Sequence, residues 1–199
     1  MNDGFEFHSE LLSRAVTFVL EHHSQQVRKI DKQTPYVAHL FGVALILQRA
    51  GCDTDTVAAG LLHDVLEDTE VTYEELERFF GARIAAIVQG VTEDKRLPWE
   101  ARKQLYVETV GKASGEVRAV CAADKINNLT SITLEQQVRG EQVWSVFRRG
   151  REAQIGFYEA TLEAIGSGWS HPLLAEYRKA LDQVKQLRGQ PDSLRMPRL

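Results

Sequence analysis

Apolar side chains recur at helical spacing through almost the whole chain, and no stretch alternates as a half-buried strand would. Leu11, Leu12, Ala15, Val16 and Val19 define a first amphipathic helix. A polar loop, roughly 28–34, leads to Pro35, which is expected to open a second helix over 36–50. That helix is apolar on nearly every face and must be buried on most sides. Gly51 ends it, and Asp53 is the expected cap of a third helix that runs through the stretch Leu61–Thr69. Thr72 and Glu75 form a capping-box pattern for a short helix through Phe80. Gly81 breaks it, and 82–91 makes another helix. A charged loop over 92–97 precedes Pro98 and a helix to about Ala113, followed by helices over 116–134 and 142–165. Gly166-Ser167-Gly168 is a break, Ser170 is the expected cap of a last helix to about Leu187, and 190–199 reads as a disordered tail. The pattern predicts one all-α domain over 1–189.

Composition narrows the function little. A net charge of −4 with no long basic stripe argues against nucleic-acid binding. The chain shows no signal-like N-terminus and no apolar run of spanning length, so a cytoplasmic protein away from membranes is expected. Cys52 and Cys121 lack metal-type spacing and read as buried reduced thiols. Trp144 and Phe147 read as core.

The chemistry concentrates in Leu61-Leu-His-Asp-Val-Leu-Glu-Asp-Thr69, which sets four titratable groups on an otherwise apolar helix. Ionised side chains are costly to bury unpaired, so such a helix requires a counter-charge, and a divalent cation is a natural one. His39 lies in the apolar second helix. Asp124 lies on the buried stripe Val117, Val120, Cys121, Asp124, Asn128. His39, His63, Asp64 and Asp124 make a mixed nitrogen and oxygen set from three helices, suited to Mn²⁺, Fe²⁺, Zn²⁺ or Mg²⁺. Four such ligands on an octahedral ion leave two positions for water and a substrate oxygen. Glu67 and Asp68 follow His63 and Asp64 by one helical turn, and would orient or deprotonate the water and protonate the leaving group. Arg28 and Lys29, in the loop before the His39 helix, are placed to reach an anionic substrate.

The order His39 … His63-Asp64 … Asp124 resembles the HD superfamily of metal-dependent phosphohydrolases. The runs His23-Ser-Gln-Gln-Val-Arg-Lys29, Thr34-Pro-Tyr-Val-Ala-His39, Ala59–Thr69 and Ala123-Asp-Lys-Ile-Asn-Asn-Leu129, with Phe80-Gly81 and Gly90-Val-Thr92 between them, resemble the hydrolase domain of the RelA/SpoT family. That resemblance covers about 17–133 and implies a helical HD-type bundle. It further implies a small phosphorylated nucleotide substrate and removal of the 3′-pyrophosphate of (p)ppGpp, usually with Mn²⁺. It makes His39, His63, Asp64 and Asp124 the metal ligands and Glu67 and Asp68 the catalytic pair. Arg28 and Lys29 would contact substrate, with Asn128 beside the site. With no second domain following, a free-standing hydrolase without synthetase activity is expected.

The sequence also departs from the family pattern. The loop Ile30-Asp-Lys-Gln-Thr34 is about two residues longer, Leu40 replaces a proline, and Lys125 and Asn127 replace an arginine and a histidine. The segment that helps hold the guanosine has no good counterpart. Another phosphate ester, or nucleotide binding without turnover, is therefore the alternative.

Overall fold

In the computed structural model, residues 9–187 are described. The helices are α1 Glu10–His23, α2 Val37–Arg49, α3 Thr54–Leu62, α4 Val65–Asp68, α5 Tyr73–Phe80, α6 Ala82–Val91, α7 Trp99–Lys112, α8 Gly115–Arg139, α9 Gly150–Gly166 and α10 Pro172–Gln186, with a 3₁₀ turn at Gly140–Val146. No strand is present among the described residues, where one isolated bridge joins Val27 to Pro35. The all-α expectation holds. No described helix is long and apolar enough to cross a membrane. The expected tail from 190 lies outside the described residues.

The spine is α8, which packs against α2, α3, α6, α7, α9 and α10. Its stretch 119–126 is buried on every side, where Ala119, Ala122 and Ala123 let neighbouring backbones come close. Expected caps recur: Asp53 accepts from the Thr56 amide, and the Thr72–Glu75 capping box is complete. Gly81, at φ +86°, separates α5 from α6 in a backbone region open mainly to glycine. Trp144 is buried and Phe147 packs against the core, as expected. Cys121 is buried, Cys52 only partly so, and both are free thiols.

Five boundaries differ from the sequence reading. The helix through 61–69 is two helices, because α3 ends at Leu62 and α4 starts at Val65. Helix α2 begins at Val37, since Pro35 is engaged in the bridge to Val27 and the Tyr36 amide donates to the Gln26 carbonyl. Helix α8 continues past Leu134 through a polar run to Gly140, whose φ of +58° ends it. Buried Gln136 holds that extension by donating to Glu141 and to the Leu187 carbonyl. The helix expected over 142–165 starts only at Gly150. The last helix is capped by the His171 side chain rather than by Ser170.

Candidate active site

The break between α3 and α4 is what assembles the site. His63 follows the last residue of α3 and Asp64, at φ −97° and ψ −2°, precedes the first of α4, and both side chains turn toward α2 and α8. His63 Nε2 stands 3.1 Å from Asp64 Oδ2, 3.2 Å from His39 Nε2 and 3.8 Å from Asp124 Oδ1. His39 Nε2 stands 3.2 Å from Asp124 Oδ1 and 3.6 Å from Asp64 Oδ2. His39, His63 and Asp124 are buried, and Asp64 partly so.

The other ring nitrogens fix the tautomers. His63 Nδ1–H donates to the Gly60 carbonyl at 2.8 Å, and His39 Nδ1–H donates to Asn127 Oδ1 at 2.7 Å. Both Nε2 atoms therefore face each other and two carboxylates. Donors held about 2.1 Å from one ion at right angles stand roughly 3 Å apart, which is the spacing found here. The donor set thus fits a divalent cation, and the paired Nδ1 hydrogens supply the outer support that such imidazoles need.

Electrostatics agree. Burial works against ionised Asp64, but His63 and His39 outweigh it and hold the carboxyl well below the usual carboxylate range. Burial likewise works against ionised Asp124, and Lys125 and the two imidazoles overcome it. Lys125 Nζ donates to Asp124 Oδ2 at 2.6 Å, and Asn128 Nδ2 donates to Asp124 Oδ1 at 2.5 Å. Tyr36 OH donates to Asp64 Oδ2 at 2.6 Å and lies 3.3 Å from Asp68 Oδ2, linking Asp64 to Asp68. Burial and those two carboxylates push the Tyr36 hydroxyl far up, so it stays a neutral donor.

Glu67 and Asp68 flank the cluster from α4. Glu67 Oε2 accepts from the Glu93 amide at 3.1 Å, and Lys95 reaches both acids, pairing with Asp68 and standing 3.5 Å from Glu67. Burial first, then Asp64 and Glu93, push the Glu67 carboxyl up to about 7. Gln26 Nε2 donates to the Asp68 carbonyl at 2.8 Å, anchoring α4 to the start of the loop between α1 and α2.

Of the residues expected to touch substrate, Arg28 lies at the site. Its Nη2 donates to Asn128 Oδ1 at 2.7 Å, and its guanidinium lies 5.8 Å from the Tyr36 ring centroid. Lys29 is exposed and takes no part in the cluster. Sequence reasoning assigned no role to Tyr36, Asn127, Lys95 or Lys125. Tyr36 precedes His39 by three residues and Asn127 follows Asp124 by three, a spacing that signals one helix face. No spacing points to Lys95.

Gly42 was also missed. A Cβ there would stand 2.2 Å from Asn127 Nδ2, so the amide must move. Gly42→Ala is therefore expected to displace Asn127 from His39 and to weaken metal binding by about tenfold or more, with a small change in melting temperature. Metal titration beside a thermal melt checks this; unchanged affinity would separate Asn127 from the site.

Similarity to known proteins identifies the family. The HD domain family model matches residues 15–151. A zebrafish (Danio rerio) protein, guanosine-3′,5′-bis(diphosphate) 3′-pyrophosphohydrolase MESH1, is 44% identical over 124 residues, covering 61% of this chain and 69% of its own. An Aquifex aeolicus guanosine-3′,5′-bis(diphosphate) 3′-pyrophosphohydrolase is 32% identical over 139 residues, which span 68% of this chain and 20% of that one. The crystal structure of lmo0812 from Listeria monocytogenes superposes with a TM-score of 0.69 at 36% identity, covering 76% of this chain and 96% of that one. A metazoan ortholog of SpoT that hydrolyzes ppGpp superposes with a TM-score of 0.75 at 27% identity, covering 89% and 97%. The chain belongs to the HD domain family of hydrolases.

Proposed function

We propose that this protein is a Mn²⁺-dependent phosphohydrolase that removes the 3′-pyrophosphate of (p)ppGpp. The observation that carries the reading is the convergence of His39, His63, Asp64 and Asp124 from separate elements, with Glu67 and Asp68 beside them. The 44% identity to a guanosine-3′,5′-bis(diphosphate) 3′-pyrophosphohydrolase supports the substrate. A bound cation supplies Lewis-acid activation of water and of the phosphoryl oxygen.

The chain's own residues do the rest. His39, His63, Asp64 and Asp124 hold the ion. Glu67, with its carboxyl pushed up to about 7, exchanges a proton at neutral pH with the attacking water or the departing 3′ oxygen. Asp68, tied to Asp64 through Tyr36, orients the water. Arg28, aimed by Asn128, meets the phosphates. Cys52 and Cys121, both unpaired, suit a cytoplasmic enzyme.

The test is product analysis with ppGpp and Mn²⁺, run beside an EDTA control and a panel of nucleoside monophosphates and dinucleotides. Pyrophosphate release that EDTA abolishes is expected. Orthophosphate released from a monoester, with ppGpp untouched, would replace the substrate and keep the site. Metal binding without turnover of any panel member would make the protein a regulator rather than an enzyme.

A further inference from the structure

Lys125 follows Asp124 on α8 and is only 6% exposed. An ammonium at that depth needs a partner, because an unpaired buried charge is strongly destabilising. Its carboxylate partner is Asp124, whose Oδ2 takes the Nζ at 2.6 Å. Two aromatic faces complete the cage: Tyr106 of α7, with its centroid 4.6 Å from Nζ, and Phe157 of α9, at 5.4 Å. Three helices therefore hold one side chain against one carboxylate oxygen.

The two oxygens of Asp124 are thereby given different tasks. Oδ1 faces the imidazoles, 3.2 Å from His39 Nε2 and 3.8 Å from His63 Nε2, and is steadied by Asn128. Oδ2 points away and belongs to Lys125. A carboxylate can ligate a divalent cation through one oxygen or through both. Using both would take Oδ2 from the ammonium and leave a buried positive charge unpaired.

We propose that Lys125 is a positioning residue for the metal centre: by occupying Oδ2 it confines Asp124 to one donor oxygen and keeps a coordination position open for substrate. With four single-atom donors, an octahedral ion retains two of its six positions, whereas a two-oxygen Asp124 leaves one. The ammonium also offsets one carboxylate charge and so moderates affinity for the cation. The inference rests on the proposed metal site, and the test separates the two.

The experiment counts exchangeable water on bound Mn²⁺ from the broadening of its electron paramagnetic resonance signal in oxygen-17 water. The wild-type protein is expected to show two. Lys125→Met keeps the apolar stem between the rings and frees Oδ2; it should show one water, bind Mn²⁺ about tenfold more tightly, and lose kcat at saturating metal. The thermal stabilisation produced by Mn²⁺ should also be larger in this variant, since tighter binding to the folded state raises it. Lys125→Arg, which keeps the charge, should return the count to two. A wild-type count of one overturns the proposal whether or not the variants fold, as does a count of two in Lys125→Met. A wild-type protein that binds no Mn²⁺ instead overturns the metal site itself.

Discussion

Replacing His63 with alanine will strip the protein of its cation and remove turnover of ppGpp. His63 lies within 3.8 Å of each of the other three proposed ligands, so its loss opens one corner of the set. Even outer partners of a metal ligand are worth about 10–100-fold in affinity or activity, and a direct ligand is worth more. The metal-free variant will also lose stability, on the order of 3 kcal/mol, because Asp64 and Asp124 lose a buried imidazole between them. Metal analysis after dialysis, beside circular dichroism to confirm the helices, decides the matter. Stoichiometric Mn²⁺ retained by His63→Ala would break the ligand assignment.

Glu67→Gln should produce an enzyme that is nearly inactive yet more stable than the wild type at alkaline pH. A general acid–base group contributes about 10²–10⁴-fold, so turnover at pH 7 should fall by that order. The stability effect follows from a carboxyl raised from 4.5 to about 7 on folding. Below pH 4.5 it is protonated in both states and costs nothing. Between 4.5 and 7 the unfolded chain gives up its proton first, so the folded state is progressively penalised. Above pH 7 the full penalty applies, roughly 2–3 kcal/mol. Glutamine carries no charge and escapes it. The metal-free variant should therefore melt with the wild type near pH 4.5 and at least about 5 °C above it at pH 8. A melting difference that does not change with pH would remove the buried-carboxylate account.

Helix period and cap chemistry act over a few residues, which is why most helices were legible in the sequence. Asp53 and Thr72 each cap the helix that follows them, as their positions predict. One error falls where a distant contact overrules a local preference. The polar run after Leu134 reads as a helix end, yet Gln136 is buried against Leu187, 51 residues away. The stretch Leu61–Thr69 reads as one helix, yet it breaks at His63 and Asp64, between α3 and α4.

The sequence by itself determined an all-α chain, the identity and order of the metal-type residues, and the acidic pair that follows them, because each rests on spacing within a helix or on short runs of residues. Only the tertiary structure decided that the two Nε2 atoms meet at 3.2 Å, that Tyr36 joins Asp64 to Asp68, and that Lys95 reaches both acids. It likewise left Lys29 outside the cluster and buried Lys125 within it. These outcomes depend on where α2, α4, α8 and the loop after α6 come to rest against one another. Packing of separate segments sets that, and spacing along the chain does not encode it.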